Sequence, residues 1–151
     1  MALSAPRVQT ERLGDESIPP LLKLPVKGST RIWAGAMVAI DDGYAIPATD
    51  DTGLRIAGRA EATVDNRSGS DGDKVITVRR GAFKWNNSDE GDEITQADVG
   101  KVCYAVDDQT VGLTDDSGAR SPAGTILQIE ADGVFVETGV DLQLADKLAD
   151  T

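Results

Sequence analysis

One stretch of this chain is written twice. Ala39-Ile40-Asp41-Asp42, Thr49-Asp50-Asp51-Thr52-Gly53, Arg55 and Ala57-Gly58 return as Ala105-Val106-Asp107-Asp108, Thr114-Asp115-Asp116-Ser117-Gly118, Arg120 and Ala123-Gly124. The copies start and end 66 residues apart (39 to 105, 58 to 124), with a one-residue slip between that corrects itself. Each reads as an apolar strand, an acidic turn, a short strand, an acidic Gly turn and an Ala-Gly pair entering the next strand, because Asp and Gly are the residues that turns require. Two copies are too few for a solenoid, which needs at least about three repeats to bury a continuous core. The pattern predicts an all-β chain: a compact β-barrel or β-sandwich-like domain with two similar lobes.

Around this duplicated centre the chain divides in three. Residues 1–30 carry mixed charges, then Pro19, Pro20 and Pro25, and proline cannot serve a central strand. They read as an extended N-terminal arm lying along its own domain or a neighbour. Residues 31–138 form the β domain. Asp42-Gly43 marks a tight hairpin, Leu54 to Val64 and Val75 to Trp85 alternate as strands, and residues 65–74 read as a solvated loop. Gly81 is expected at a bulge or bend, and Asp132-Gly133 at the last hairpin. Thr95 and Asp98 can cap one short turn that Gly100 stops. Residues 139–151 are a C-terminal tail or short helix.

Composition narrows the chemistry. The formal net charge of −11 argues against nucleic acid, whose phosphates require clustered Lys and Arg, and against an anionic membrane surface. No apolar run approaches the roughly 20 residues of a spanning helix, and Met1–Pro6 does not read as a secretory signal. The chain has no histidine, which removes Ser-His-Asp and Cys-His catalysis and the commonest zinc ligand. Lys, Tyr and carboxylates remain, so enzymatic activity is disfavoured. The single cysteine, Cys103, lies in an apolar strand and reads as a small buried residue. The acidic loops miss calcium-loop spacing: with Gly72 at position six, Arg67 falls at position one, and with Gly91 there, Ala97 falls at position twelve. No metal or cofactor is expected, and no glycine loop suited to phosphate is present.

The residues expected at contacts with other protein surfaces are Ile18, Leu21, Leu22, Leu24 and Val26 of the arm, with Trp33, Arg79 and Arg80. Successive strand residues point to opposite faces, so at least one of Arg79 and Arg80 needs an interior carboxylate or an interface. Trp33 and Trp85 read as core or interface anchors.

The order of segments carries a resemblance. Leu24-Pro25-Val26-Lys27 leads to Ile32 and Ala34-Gly35-Ala36-Met37-Val38; Tyr44-Ala45-Ile46-Pro47-Ala48, Gly58-Arg59-Ala60-Glu61 and Thr63-Val64-Asp65-Asn66 follow. Val78-Arg79-Arg80-Gly81, Phe83, Tyr104 through Asp107-Asp108-Gln109-Thr110-Val111 and Ala123-Gly124 complete it. Over residues 24–138 this resembles the head-decoration or capsid-cement proteins of tailed bacteriophages. The resemblance implies a β-rich, non-enzymatic homo-oligomer, a trimer rather than a dimer. Made in the host bacterial cytoplasm, it would sit on the outer capsid surface and bridge subunits of the major capsid protein. Two other readings stand beside it: a surface-binding module for carbohydrate or protein, and an all-β hydrolase using Asp41/Asp42 or Asp107/Asp108. Adjacent strand residues diverge, so neither pair can by itself form a convergent carboxylate dyad.

Overall fold

The computed structural model describes residues 21–139; Ile18, the rest of 1–20 and the tail beyond 139 lie outside the described residues. Twelve strands follow in order: β1 (Leu21–Pro25), β2 (Thr30–Ile32), β3 (Met37–Asp41), β4 (Tyr44–Pro47), β5 (Arg55–Ala60), β6 (Val64–Asn66), β7 (Val75–Arg79), β8 (Gly81–Asn87), β9 (Val102–Ala105), β10 (Thr110–Gly112), β11 (Pro122–Glu130) and β12 (Gly133–Thr138). Two single 3-10 turns, Glu90–Asp92 and Gln96–Asp98, separate β8 from β9. In the second, the Thr95 amide and hydroxyl both donate to the Asp98 carboxylate, and Gly100 follows with a φ of 94°.

The duplication read in the sequence is a duplication of topology. In the first lobe the strand order is β1-β7-β5-β3-β4, and the residue after β1, Val26, bridges in parallel to Ala45 of β4. In the second lobe the order is β8-β12-β11-β9-β10, and β10 returns in parallel to β8 to close a five-stranded barrel. Strand for strand, the two lobes have the same connections and directions. They differ in closure. Thr110 and Val111 pair with Asn86 and Asn87, and the Asn86 amide donates to the Gln109 carbonyl at 2.8 Å. The place of Asn86 is taken in the first lobe by Pro25, which has no N–H to give, so that seam holds one bridge, with Lys27 donating to Ala45 at 3.1 Å. The short β2–β6 pair is an addition to the first lobe, and its Ile32 is wholly buried there.

The repeated Ala-Gly is a repeated bulge. Val38 pairs with Gly58 and Ala39 with Ile56, leaving Ala57 as the extra residue. Cys103 pairs with Gly124 and Tyr104 with Pro122, leaving Ala123 as the extra residue. Both alanines are wholly buried. Gly58 and Gly124 have φ of 148° and 158°. A β-carbon on either would run into the carbonyl of the next strand, Arg79 or Glu137.

Each lobe has an interior, and one face joins them. Val26, Ile32, Val38, Ala45, Ala57, Ile76 and Val78 fill the first lobe. Trp85, Cys103, Ala105, Val111, Ile126, Val134 and Val136 fill the second, and Met37, Ala39, Ala48, Leu54 and Ile56, from β3, β5 and the segments beside them, pack against that cluster. Alternation along β3 thus serves two cores at once: Val38 belongs to the first cluster, Met37 and Ala39 to the second. Ser121 stitches the junction by accepting from the Leu54 amide at 3.0 Å and donating to the Asp51 carbonyl at 2.7 Å. Trp85 donates its indole N–H to Thr138 at 3.0 Å. Burial pushes the Cys103 thiol up to about 12, the behaviour of a packed core residue.

Three sequence expectations change. The run Leu54–Val64 is not one strand: pairing stops at Ala60, and Ala62 is exposed. The last hairpin turns on Ala131 and Asp132, with Gly133 already paired to Glu130. The loop 65–74 is not wholly solvated, because Asn66 is buried and its amide donates to the carbonyls of Val26, Lys27 and Ser70 at 3.0–3.2 Å.

Asp92 holds the segment after β8 to the segment after β10. It accepts from the Thr114 amide and hydroxyl at 2.9 Å each and from Arg120 at 2.7 Å, and its carboxylate fills the space above Gly112. Burial pushes its pKa up, but the Thr114 and Arg120 donors outweigh that and hold the carboxyl below its ordinary value. A depressed carboxyl contributes stability that is present above the unfolded-state value and is lost as pH falls through the folded-state value. Asp92→Asn is expected to lower stability at pH 7 by about 1–3 kcal/mol. In urea unfolding the gap from the unsubstituted protein should narrow at pH 3; a gap that widens there would contradict the assignment.

Candidate interaction surfaces

The residues singled out from sequence fall in four different settings. Leu21, Leu22 and Leu24 lie in β1, an edge strand paired along its full length to β7, from Leu21 opposite Arg79 to Pro25 opposite Val75. The segment lies on its own domain. All three leucines are half-buried, and Leu22 and Leu24 pack against the first core. Val26, expected at a contact, is wholly enclosed in that core and offers no surface. Among the described residues, the Val26 bridge is the one pairing on the other side of this segment.

Arg79 finds an internal carboxylate. Its cross-strand partner is Arg59, and Glu61 sits between them, 3.1 Å from Arg79 Nε and 3.3 Å from Arg59 Nη2. The Arg79 contact has ion-pair distance without hydrogen-bond alignment, since Nε lacks a properly directed acceptor. Arg59 also stacks on Phe83, 4.2 Å from the ring centre, which ties the first lobe to β8. Arg80 is half-buried between β7 and β8 and makes no ion pair among the described residues.

The two tryptophans separate. Trp85 is core, whereas Trp33 is 53% exposed on the turn after β2. The Arg31 guanidinium lies 4.0 Å from its ring centre and fixes one face. Across a cleft from Trp33 stands the β9–β10 hairpin with Asp108 and Gln109. Asp108 is half-buried; burial first, and then its neighbour Asp107, push its carboxyl above the ordinary value. Asp107 turns back to accept the Gln109 amide at 2.9 Å, and Asp41 pairs with Lys27 at 2.9 Å. The acidic pairs are therefore used separately.

Sequence reasoning did not find Arg31, Asp108 or Gln109 as neighbours of Trp33. Arg31 stands two residues before Trp33, and in strand geometry that spacing shares a face, which was the available signal. The approach of the hairpin comes from the packing of one lobe on the other and has no local signature. Among the described residues, no three His, Cys, Asp or Glu side chains are grouped to hold a metal ion. No helix of the described residues is long and apolar enough to cross a membrane. No protein-family model, curated protein or solved structure matches this chain.

Proposed function

We propose that this chain is a virion structural protein that decorates the outer surface of a tailed-phage capsid, binding the major capsid protein as a homo-oligomer, a trimer in preference to a dimer. The observation that carries the reading is β1. It is an edge strand bearing half-buried leucines, and its second backbone edge is unpaired over Leu21–Leu24 among the described residues. Extended segments of another chain pair readily with such an edge. The order of segments that resembles capsid-cement proteins supports the same reading. The net charge of −11 suits a surface facing away from packaged DNA, whose phosphates would repel it. Modest contacts add in a symmetric oligomer, because each bound subunit raises the effective concentration of the next.

The test is cosedimentation with empty expanded capsids, where saturable, stoichiometric binding is expected. Removal through residue 26 would take away β1 and buried Val26, so the informative truncation ends at residue 20. The chain 21–151 retains β1 and should keep its β circular-dichroism signature; capsid affinity that survives assigns the contact to the β1 edge, and affinity that falls about tenfold or more assigns it to residues 1–20. No binding by the full chain would remove the reading.

A further inference from the structure

The cleft between Trp33 and the β9–β10 hairpin is a built feature. It has a volume of about 350 Å³ and is lined by Trp33, Ala34, Gly35, Ala36, Asp108 and Gln109. Backbone bonds fix both walls. On one side Gly35 donates to Ala60 at 2.9 Å, Ala36 to Trp33 at 3.1 Å and Ala34 to the Thr63 hydroxyl at 2.9 Å. On the other, Met37 donates to the Asp108 carbonyl and Asn86 to the Gln109 carbonyl, each at 2.8 Å. A cleft held this way loses little freedom when filled.

Two unfavourable features remain in the free protein. Trp33 leaves half its surface in water, with Arg31 covering one face of the ring. Asp108 is partly withdrawn from water beside Asp107, and among the described residues neither carboxylate is in an ion pair. A cation with an aliphatic stem relieves both, by covering the indole and by facing the carboxylate. We propose that this cleft receives a Lys or Arg side chain from a partner protein, with the charged head at Asp108 and the stem or guanidinium plane against Trp33. Charge selects the occupant. The one charged group in the cleft lining is the Asp108 carboxylate, and this chain carries 26 acidic against 15 basic side chains, so a basic segment of a different protein is a better source of the cation than a second copy, whatever contacts join the copies in an oligomer. The reading above is used only to name that protein as the capsid; the preference for a cation stands on the cleft itself.

The experiment uses the full ¹⁵N-labelled chain with N-acetyl-arginine N-methylamide and its neutral citrulline analogue. The arginine probe should shift the Trp33 indole and Gln109 amide signals saturably, and the citrulline probe should bind about three- to tenfold more weakly. Asp108→Asn should weaken the arginine probe by a similar factor, and Trp33→Leu should remove its effect on Gln109. Equal response to the two probes, no saturable shift, or shifts centred elsewhere would overturn the proposal. Signals at Trp33 and Gln109 that move with protein concentration alone would overturn the choice of a different protein. Cosedimentation of the Asp108→Asn chain separates the two claims. Lost probe binding with undiminished capsid binding supports the cleft and takes it out of the capsid contact. A full chain that answers to arginine but ignores capsids supports the cleft and refutes the capsid reading.

Discussion

Gly58→Ala and Gly124→Ala are each expected to destabilise the protein by about 3–5 kcal/mol, a fall of about 10–15 °C in Tm. Two causes add. The backbone at φ of 148° and 158° is a conformation that L residues rarely adopt. The added methyl would also point into the carbonyl of Arg79 or Glu137, and a neighbouring strand cannot withdraw without breaking its own ladder. The side chains of Val78 and Val136 stand beside the same positions, so sliding the bulge along the strand only transfers the clash. Gly91→Ala is the control, because a methyl there meets open space and the φ is ordinary; its effect should lie within about 0.5 kcal/mol. Guanidinium unfolding of the three variants measures this. Losses of less than 1 kcal/mol at both bulges would mean that the two strands are not held where the structure has them.

Asn66→Leu is expected to cost about 2–4 kcal/mol. The side-chain amide has two hydrogens shared among three carbonyls, those of Val26, Lys27 and Ser70; leucine of similar size would leave the Lys27 carbonyl without that donor and the Val26 and Ser70 carbonyls with only the backbone amides of Gly72 and Asp73. The backbone bonds that Ser29 and Gly69 donate to the Asn66 carbonyl survive the change, so the loss isolates the amide. Asn66→Asp makes the sharper test. A carboxylate buried among carbonyl oxygens has its pKa raised above the unfolded value, so this variant should lie closest in stability to the unsubstituted protein at low pH and fall further below it as pH rises through the raised value. A deficit from the unsubstituted protein that is smaller at pH 7 than at pH 4 would show that the side chain does not face those carbonyls.

These two sites also mark where sequence reading succeeded and where it stopped. The Ala-Gly pairs were visible because the chain repeats them, and the hairpin at Asp42-Gly43 because its two residues take φ of 50° and 89°, which Asp and Gly tolerate best. The faces of β7 were visible because Ile76 and Val78 are buried between neighbours that are not. Asn66 was hidden in a run of polar residues, since nothing in composition separates a buried amide from a solvated one. The parallel closure of β10 on β8 was hidden because it joins residues far apart in sequence by backbone alone. For the interaction surfaces, exposure of Trp33 against burial of Trp85 depends on which residues the two lobes cover, and hydropathy is the same for both.

Each lobe is continuous in the chain and is shut by its own first and last strands: Leu21 faces Arg79 in one, and Gly81 faces Thr138 in the other. A ribosome delivers Arg79 before any part of the second lobe has left the tunnel, so the earlier half can finish while the later half is still enclosed in the tunnel or not yet made. When it does, the patch formed by Met37, Ala39, Leu54 and Ile56 stands ready-made, and the nascent remainder condenses on a surface that already has its shape. Vectorial synthesis thus turns two look-alike halves into a template and its cast, which guards against the strand exchange that identical neighbours would otherwise invite.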